Sequence, residues 1–296
     1  WCNPLVQTSH RWSEETHGDV RLSLKTQIQM IRCKPLLGTY VEISANQEIA
    51  IDHAFATIEL VQDLMGFHNP NSELSRVNAR AHIEPIQVHA WTFQVLEIAK
   101  ELCEITNGLF DCAVGGKLVD SGLLPRHSND LHTSQSSIMN LMLSKPNTAY
   151  SKVPLTLDLG GIAKGFAVDK AVEALQLCGV VSGYVNAGGD LRVFGNTPQK
   201  IQVRNPAAPD ELITLGSLEN GAIASSGLYY CDHSKSNQGH IVNPQTMEQI
   251  QFTESYSVIA PECIYADALT KVFAISKDNA HACFQKYSAQ AIGISI

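Results

Sequence analysis

The stretch from Leu155 to Gly165, LTLDLGGIAKG, constrains this chain more than any other. An apolar run ends at Asp158 and the Gly160–Gly161 pair. Lys164 follows, and Phe166 to Cys178 has helical spacing, with Ala167, Ala171, Val172 and Leu175 on one face. The pattern predicts a strand, a glycine turn and a helix N-terminus, a unit that turns backbone N–H groups and a partial positive charge towards an anion. The glycines fit neither GxxxxGK nor GxGxxG. Taken alone, the segment fits a purely structural strand-to-helix turn better than an anion site.

Glycine turns recur downstream. Val185, Ala187, Leu191 and Val193 alternate around Gly188–Gly189, which predicts a hairpin. Asp158, Lys164, Asn186 and Asp190 then gather at the turns of one strand–helix–hairpin unit, as the rim of a site requires. Ile223 to Tyr229 reads as a small-residue turn with two hydroxyls, and Gly239 to Pro244 sets His240 before a short apolar run. The Ala266–Ile275 segment predicts a helix with Asp267 in its first turn, where a carboxylate can cap the helix or ligate a hard cation.

The rest of the chain predicts an α+β fold. Leu36–Ser44 reads as a strand, and Ile49–Phe67 and Phe93–Thr106 as amphipathic helices, the latter closed by Gly108. Ser128–Ser137 reads as an exposed loop. Strands are expected from about 152 to 260 around the helix at 166–178, then helices near 267–276 and 278–287 and a final strand near Ala291–Ser295. Elements mix without strict alternation, which implies mixed, largely antiparallel sheets with packed helices in one compact unit. That unit is expected to span 30–296, after an N-terminal extension over 1–29.

Of the 296 residues 44 % are hydrophobic, ample for a large core, and no run approaches the ~18 apolar residues of a membrane span. The net charge of −8 argues against nucleic acid as a partner. The eight cysteines show no CxxC and no zinc spacing; Cys103 and Cys178 fall on helix faces as buried thiols, and Cys231, His233 and His240 form a weak metal candidate. Cys2 fits either a lipid-anchored cysteine or part of a dispensable tail, so a periplasmic and a cytoplasmic setting in a bacterium both stay open.

Eight segments together resemble the ApbE family of FAD:protein FMN transferases: Leu37–Ile43, Pro70–Asn78, Gly108–Asp111, Asp158–Gly165, Asn186–Asp190, Ala224–Gly227, His240–Pro244 and Ala266–Leu269, in the family's order. The resemblance implies a T-fold-like unit that uses Mg²⁺ to transfer FMN from FAD to a Ser or Thr hydroxyl of an acceptor flavoprotein, releasing AMP. An FAD diphosphatase and a non-catalytic FAD-binding protein are the alternatives.

Carried onto this sequence, the resemblance gives Asp267 as the main metal ligand and catalytic carboxylate, with Thr270 and the backbone at Gly161 assisting. Lys164 and Asp158 are implied to meet the nucleotide, and Leu37, His68, Phe110, Asp111, Ala113, Val114, Gly115 and Ile241 to line its pockets. His240 either orients and deprotonates the acceptor hydroxyl or is a strand histidine satisfied by backbone. Two positions depart from the family pattern: Lys271 stands where a threonine ligand is usual, and Asn243 replaces an aspartate. Lys271 lies at i+4 from Asp267, so an ion pair competing with Mg²⁺ is expected.

Overall fold

Short apolar repeats closed by turn residues form antiparallel sheets, and the apolar-faced helices α1 (Glu48–Met65), α5 (Ala163–Leu177) and α6 (Cys263–Ser276) pack with the main one. The computed structural model describes residues 29–127, 136–227 and 241–295. The extension over 1–28, most of the Ser128–Ser137 loop, Cys231, His233 and His240 lie outside the described residues.

The chain opens with a hairpin, β1 (Met30–Leu36) and β2 (Thr39–Ala45), followed by helices α1 (Glu48–Met65) and α2 (Glu73–Arg80). Next come β3 (Ile86–Gln87), α3 (Ala90–Ile105), α4 (Gly115–Asp120), β4 (Leu141–Ser144), β5 (Thr148–Ser151) and α5 (Ala163–Leu177). Five strands follow: β6 (Gly183–Ala187), β7 (Asp190–Phe194), β8 (Gln199–Asn205), β9 (Ala208–Leu218) and β10 (Gly221–Ser226). The chain ends with β11 (Val242–Asn243), β12 (Glu248–Gln249), β13 (Ser255–Ala260), α6 (Cys263–Ser276), α7 (Ala282–Lys286) and β14 (Gln290–Ile294).

The main sheet runs β1-β2-β6-β7-β10-β13-β14, antiparallel throughout. A three-stranded sheet, β3-β5-β4, and the hairpins β8–β9 and β11–β12 flank it. The expected α+β class with antiparallel sheets holds. Alternation buries Val41, Ile43, Val185 and Ala187 in the core, while Tyr40 on the same hairpin is exposed. Helix α1 packs on α5, α5 on α6, and α6 on β10 and β13. Ile51, Phe55 and Ile58 carry α1 into that core at helical spacing, and all three are fully buried.

Four expectations are corrected. The apolar run Leu155–Leu159 joins no sheet. Its backbone is satisfied instead by the Asn78 side chain, which accepts from Leu157 N at 2.8 Å and donates to Leu157 O at 2.9 Å, and by Asp158 N donating to Cys112 O at 2.7 Å. Helix α5 begins at Ala163, three residues before the apolar stripe, because Lys164 and Gly165 face neighbouring elements rather than a loop. Ile223–Ser226 is strand β10, not a turn, since its small side chains fit beneath α6. Helix α6 starts at Cys263, so Asp267 sits in its second turn and does not cap its own helix; its carboxylate accepts instead from Gly165 N in the first turn of α5.

The cap of α6 comes from Asp169 in α5, whose carboxylate accepts from Cys263 N at 2.9 Å and Ile264 N at 2.8 Å. The two helices meet at Gly165. A Cβ there would lie 2.3 Å from the Cys263 carbonyl oxygen and 2.8 Å from Ile264 Cα, both backbone atoms. Gly165→Ala should therefore lower stability by roughly 1–3 kcal/mol through forced separation of α5 and α6. Denaturant unfolding of the variant checks this; an unchanged midpoint and slope would show that the helices part freely.

Candidate functional site

A cleft of about 270 Å³ opens where the Phe110–Val114 segment, the Gly160–Gly161 turn, α6 and the start of β11 converge. Its wall is mostly aliphatic and aromatic: Leu109, Phe110, Val114, Leu118, Leu123, Leu124, Ile241 and Ile275. Asp158, the Gly160–Gly161 turn and Lys271 stand together as its polar end, and Asp111 also lines the cleft. An apolar slot with a few convergent polar groups suits a flat heteroaromatic ring carrying a charged tail.

Asp111 is fixed hard. Its carboxylate accepts from Ser137 Oγ at 2.6 Å, from Ala113 N at 2.8 Å and from Ile138 N at 3.0 Å, and the Cys103 thiol donates at 3.4 Å. That thiol is pushed up to about 12, first by burial and then by the Asp111 charge, so it stays protonated. Asp158 accepts from Gly160 N at 3.2 Å and thereby sets the glycine turn. Burial raises its carboxyl above the ordinary range, opposed by the Gly160 N–H and the charges of His68 and Lys271.

Behind the polar end lies a four-charge cluster drawn from three elements. Lys164 at the start of α5 pairs with Asp190 at the start of β7. Lys271 pairs with Asp267 one turn earlier on α6, donating to Oδ1 and, at 2.9 Å, to the Asp267 carbonyl. Asp267 Oδ2 accepts from Gly165 N at 3.0 Å. Burial by itself would raise Asp267, but Lys271 and then Lys164 hold it below the usual carboxylate range. Asp190 moves the other way, raised by burial and by the Asp267 charge against the pull of Lys164. Burial presses Lys164 down, and the Asp190 and Asp267 carboxylates more than restore it. Two ammonium groups and two carboxylates leave the cluster in balance.

Of the residues singled out from sequence, the cleft brings together Phe110, Asp111, Val114, Asp158, Gly161 and Ile241. Ala113 and Gly115 lie buried in the same segment behind the wall, where Gly115 N donates to Thr156 O at 3.0 Å. Leu37 occupies the β1–β2 turn at φ 55°, its N–H donated to Gln62 Oε1 at 2.6 Å, and does not line the cleft. His68 is exposed and reaches Asp158 only through its charge. Lys164 and Asp267 stand behind the cleft in the charge cluster. Thr270 is fully buried, donating to the Asp267 carbonyl at 2.7 Å and sharing a 2.9 Å hydrogen bond with Ser226 Oγ.

Asp169 and its ion pair with Arg192, at 2.6 Å, escaped the sequence reading. The available signal was an aspartate among Phe166, Ala167, Val168, Ala171 and Val172, a buried face on which a carboxylate needs partners. The aliphatic wall at Leu118, Leu123 and Leu124 also escaped it, because these residues follow a turn-rich stretch without periodicity.

The donor set does not fit a divalent cation. Mg²⁺ requires free oxygen ligands in octahedral array. Here Asp267 Oδ1 holds an ammonium, Oδ2 holds a backbone N–H, and the Thr270 hydroxyl is committed to Ser226 and a carbonyl. Among the described residues, no group of three or more His, Cys, Asp or Glu could hold a metal. No helix among them is long and apolar enough to cross a membrane.

A family model described as "ApbE family" matches residues 37–292. A Vibrio cholerae protein named FAD:protein FMN transferase is 30% identical over 260 residues, 79% of this chain and 78% of that one. A Haemophilus influenzae protein of the same name is 28% identical, over 80% of this chain and 76% of its own. Among solved structures, the flavin transferase ApbE from Vibrio cholerae superposes with a TM-score of 0.77 at 26% identity, covering 90% of this chain and 93% of that chain. The Thermotoga maritima apbe protein shares the fold, with a TM-score of 0.75 at 24% identity and 90% and 94% coverage.

Proposed function

Since this chain belongs to the ApbE family, we propose that it transfers the FMN half of FAD to a Ser or Thr hydroxyl of an acceptor protein and releases AMP. One observation carries the reading to these residues: an apolar slot ends in Asp158, the Gly160–Gly161 turn and a lysine, as a flavin or adenine ring joined to a diphosphate requires.

In the transfer, the acceptor oxygen attacks the FMN phosphorus. A new P–O bond forms, the P–O bond to the bridging oxygen breaks, and AMP leaves with the electron pair. The hydroxyl proton passes to a base, and His240 is our candidate for it. Phosphoryl transfer of this kind depends on positioning and charge neutralisation rather than on a covalent enzyme intermediate. Phe110, Val114 and Ile241 would hold a ring and exclude water, Asp111 would fix the wall, and Asp158 would hydrogen-bond the nucleotide. Lys164 and Asp267 would supply the field behind the diphosphate. Leu37 and His68 would meet the outer end of the ligand. Mg²⁺ belongs to the family's expected chemistry, but the donor set around Asp267 does not fit it, and no step here runs through it.

FAD should raise the melting temperature more than FMN or NAD, because the cleft offers both an apolar wall and a phosphate end. Ligand at 100 times its dissociation constant adds ~2.7 kcal/mol to the native state. Thermal shift with each nucleotide checks binding. Mass spectrometry of a flavin-accepting domain mixed with the protein and FAD checks transfer, the expected product being heavier by one FMN phosphodiester. AMP release without labelled acceptor would favour the diphosphatase, and FAD binding with neither product would favour a non-catalytic flavin-binding protein.

A further inference from the structure

We propose that the Lys271 ammonium is a built-in counter-cation for the ligand's diphosphate, standing where a divalent ion would otherwise join carboxylate to phosphate. The inference deepens the reading of the cleft as an FAD site and rests on it.

Three observations carry it. First, Lys271 is the sole basic residue among the described residues that line the cleft, and it does so at the polar end. Its stem lies over the glycine turn, where a Cβ on Gly161 would sit 3.5 Å from Lys271 Cε, so the turn and the lysine form one surface. Lys164, by contrast, does not line the cleft and is bound to Asp190 behind it.

Second, an ammonium has three donors. Lys271 gives two of them to Asp267, one to the carboxylate and one to the carbonyl. These two bonds fix the nitrogen on the helix and leave the third N–H for a ligand. The geometry is that of a positioned cation with one coordination direction open. Its side chain is 17 % exposed, so the charge is only lightly screened.

Third, the charge balance requires the lysine. Lys164 and Lys271 together match Asp190 and Asp267. Without the Lys271 charge the cluster would carry an excess carboxylate, Asp267, with one oxygen freed and an adjacent hydroxyl at position 271 if threonine stood there. That arrangement would invite a cation. With the lysine present, a divalent ion would have to displace a half-buried ammonium from a fully buried carboxylate, at the cost of leaving one of them unpaired.

The consequence is that nucleotide binding to this chain does not depend on Mg²⁺. The test is calorimetry of FAD with the full chain, once in EDTA and once in excess Mg²⁺, together with Mg²⁺ titrated alone. The wild-type chain is expected to bind FAD with the same dissociation constant, within about twofold, in both buffers, and to give no heat with Mg²⁺ alone. Lys271→Thr is expected to bind FAD about 10-fold more weakly in EDTA, the loss of one charge-assisted hydrogen bond. The variant should recover that affinity in Mg²⁺ and bind Mg²⁺ directly.

FAD binding to the wild-type chain only in Mg²⁺ would overturn the built-in cation while leaving the FAD site standing. Absence of FAD binding in both buffers would overturn the FAD reading and this inference with it. The wild-type comparison needs no variant, so a poorly folding Lys271→Thr does not blunt the test.

Discussion

Asp267→Asn should lower the rate of flavin transfer about 100-fold or more while FAD binding stays within a few-fold of wild type. The substitution keeps the shape of the side chain and an oxygen for the Gly165 N–H, but removes the charge that holds Lys271 and draws on Lys164. An ammonium released from its carboxylate shifts from its place against Gly161. Misplacement of a charge-neutralising group by about 1 Å costs on the order of 100-fold in rate. Ground-state binding does not suffer the same way, because the uncompensated Lys271 still attracts a diphosphate while Lys164 stays paired with Asp190. Asp267 is in this sense a positioning residue, and the split between kcat and KM separates that role from a general loss of fold. Rapid-quench transfer assays and calorimetry on the same preparation read both quantities. A variant that transfers at the wild-type rate would show that the carboxylate organises nothing, and a matched loss in kcat and FAD affinity would point to collapse of the cleft.

The largest stability effect is expected at Asp169. This carboxylate is nearly inaccessible and ties three elements together: α5 carries it, α6 is capped by it through Cys263 N and Ile264 N, and β7 supplies Arg192 at 2.6 Å. Asp169→Ala leaves the guanidinium without a partner and two helix N–H groups without an acceptor. Breaking a buried pair from one side costs about 3–5 kcal/mol, and loss of a cap adds ~1 kcal/mol. Against a total stability of about 5–15 kcal/mol, that loss brings the fold close to its limit. Urea unfolding should show the midpoint falling steeply. Removing both charges, in Asp169→Ala with Arg192→Met, should return part of the loss, since no orphan charge is left behind. A single variant within 1 kcal/mol of wild type would mean that Arg192 finds solvent without penalty.

Periodicity and turn chemistry made much of the fold legible. Helix α1, read over Ile49–Phe67, is found at Glu48–Met65, and the hairpin around Gly188–Gly189 is β6–β7. Helix α3, read from Phe93, begins three residues earlier at Ala90 because His89 caps it through Trp91 N, and an imidazole is not a common cap signal. The Leu155–Leu159 run misled because a buried extended segment has the same apolar pattern whether its backbone pairs with a strand or with a side chain such as Asn78. The start of α6 misled because its cap comes from a residue 94 positions away in sequence. The site was legible where chemistry clustered in short motifs, at Asp158–Gly165 and around Asp267. It was illegible where one residue answers another across the fold, as Asp169 answers Arg192; Lys164 and Asp190 were legible as neighbours on one rim, but not as an ion pair. The Lys271–Asp267 pair lay between these cases: its spacing was visible, but its reach into the cleft depended on where the Gly160–Gly161 turn came to rest.

The pairing of β2 with β6, which joins the opening hairpin to the rest of the main sheet, also bears on how the chain leaves the ribosome. Tyr184 of β6 meets Glu42 of β2 across 142 residues, with a 2.6 Å hydrogen bond from the tyrosine hydroxyl to the carboxylate. At a synthesis rate of ~5–20 residues per second, the β1–β2 hairpin spends roughly 7–30 s with one long edge open before its neighbour exists. Val41 and Ile43 lie on that hairpin, both destined for complete burial. An open edge beside apolar side chains is a template for other nascent chains. Slower translation between β2 and β6 lengthens that exposure.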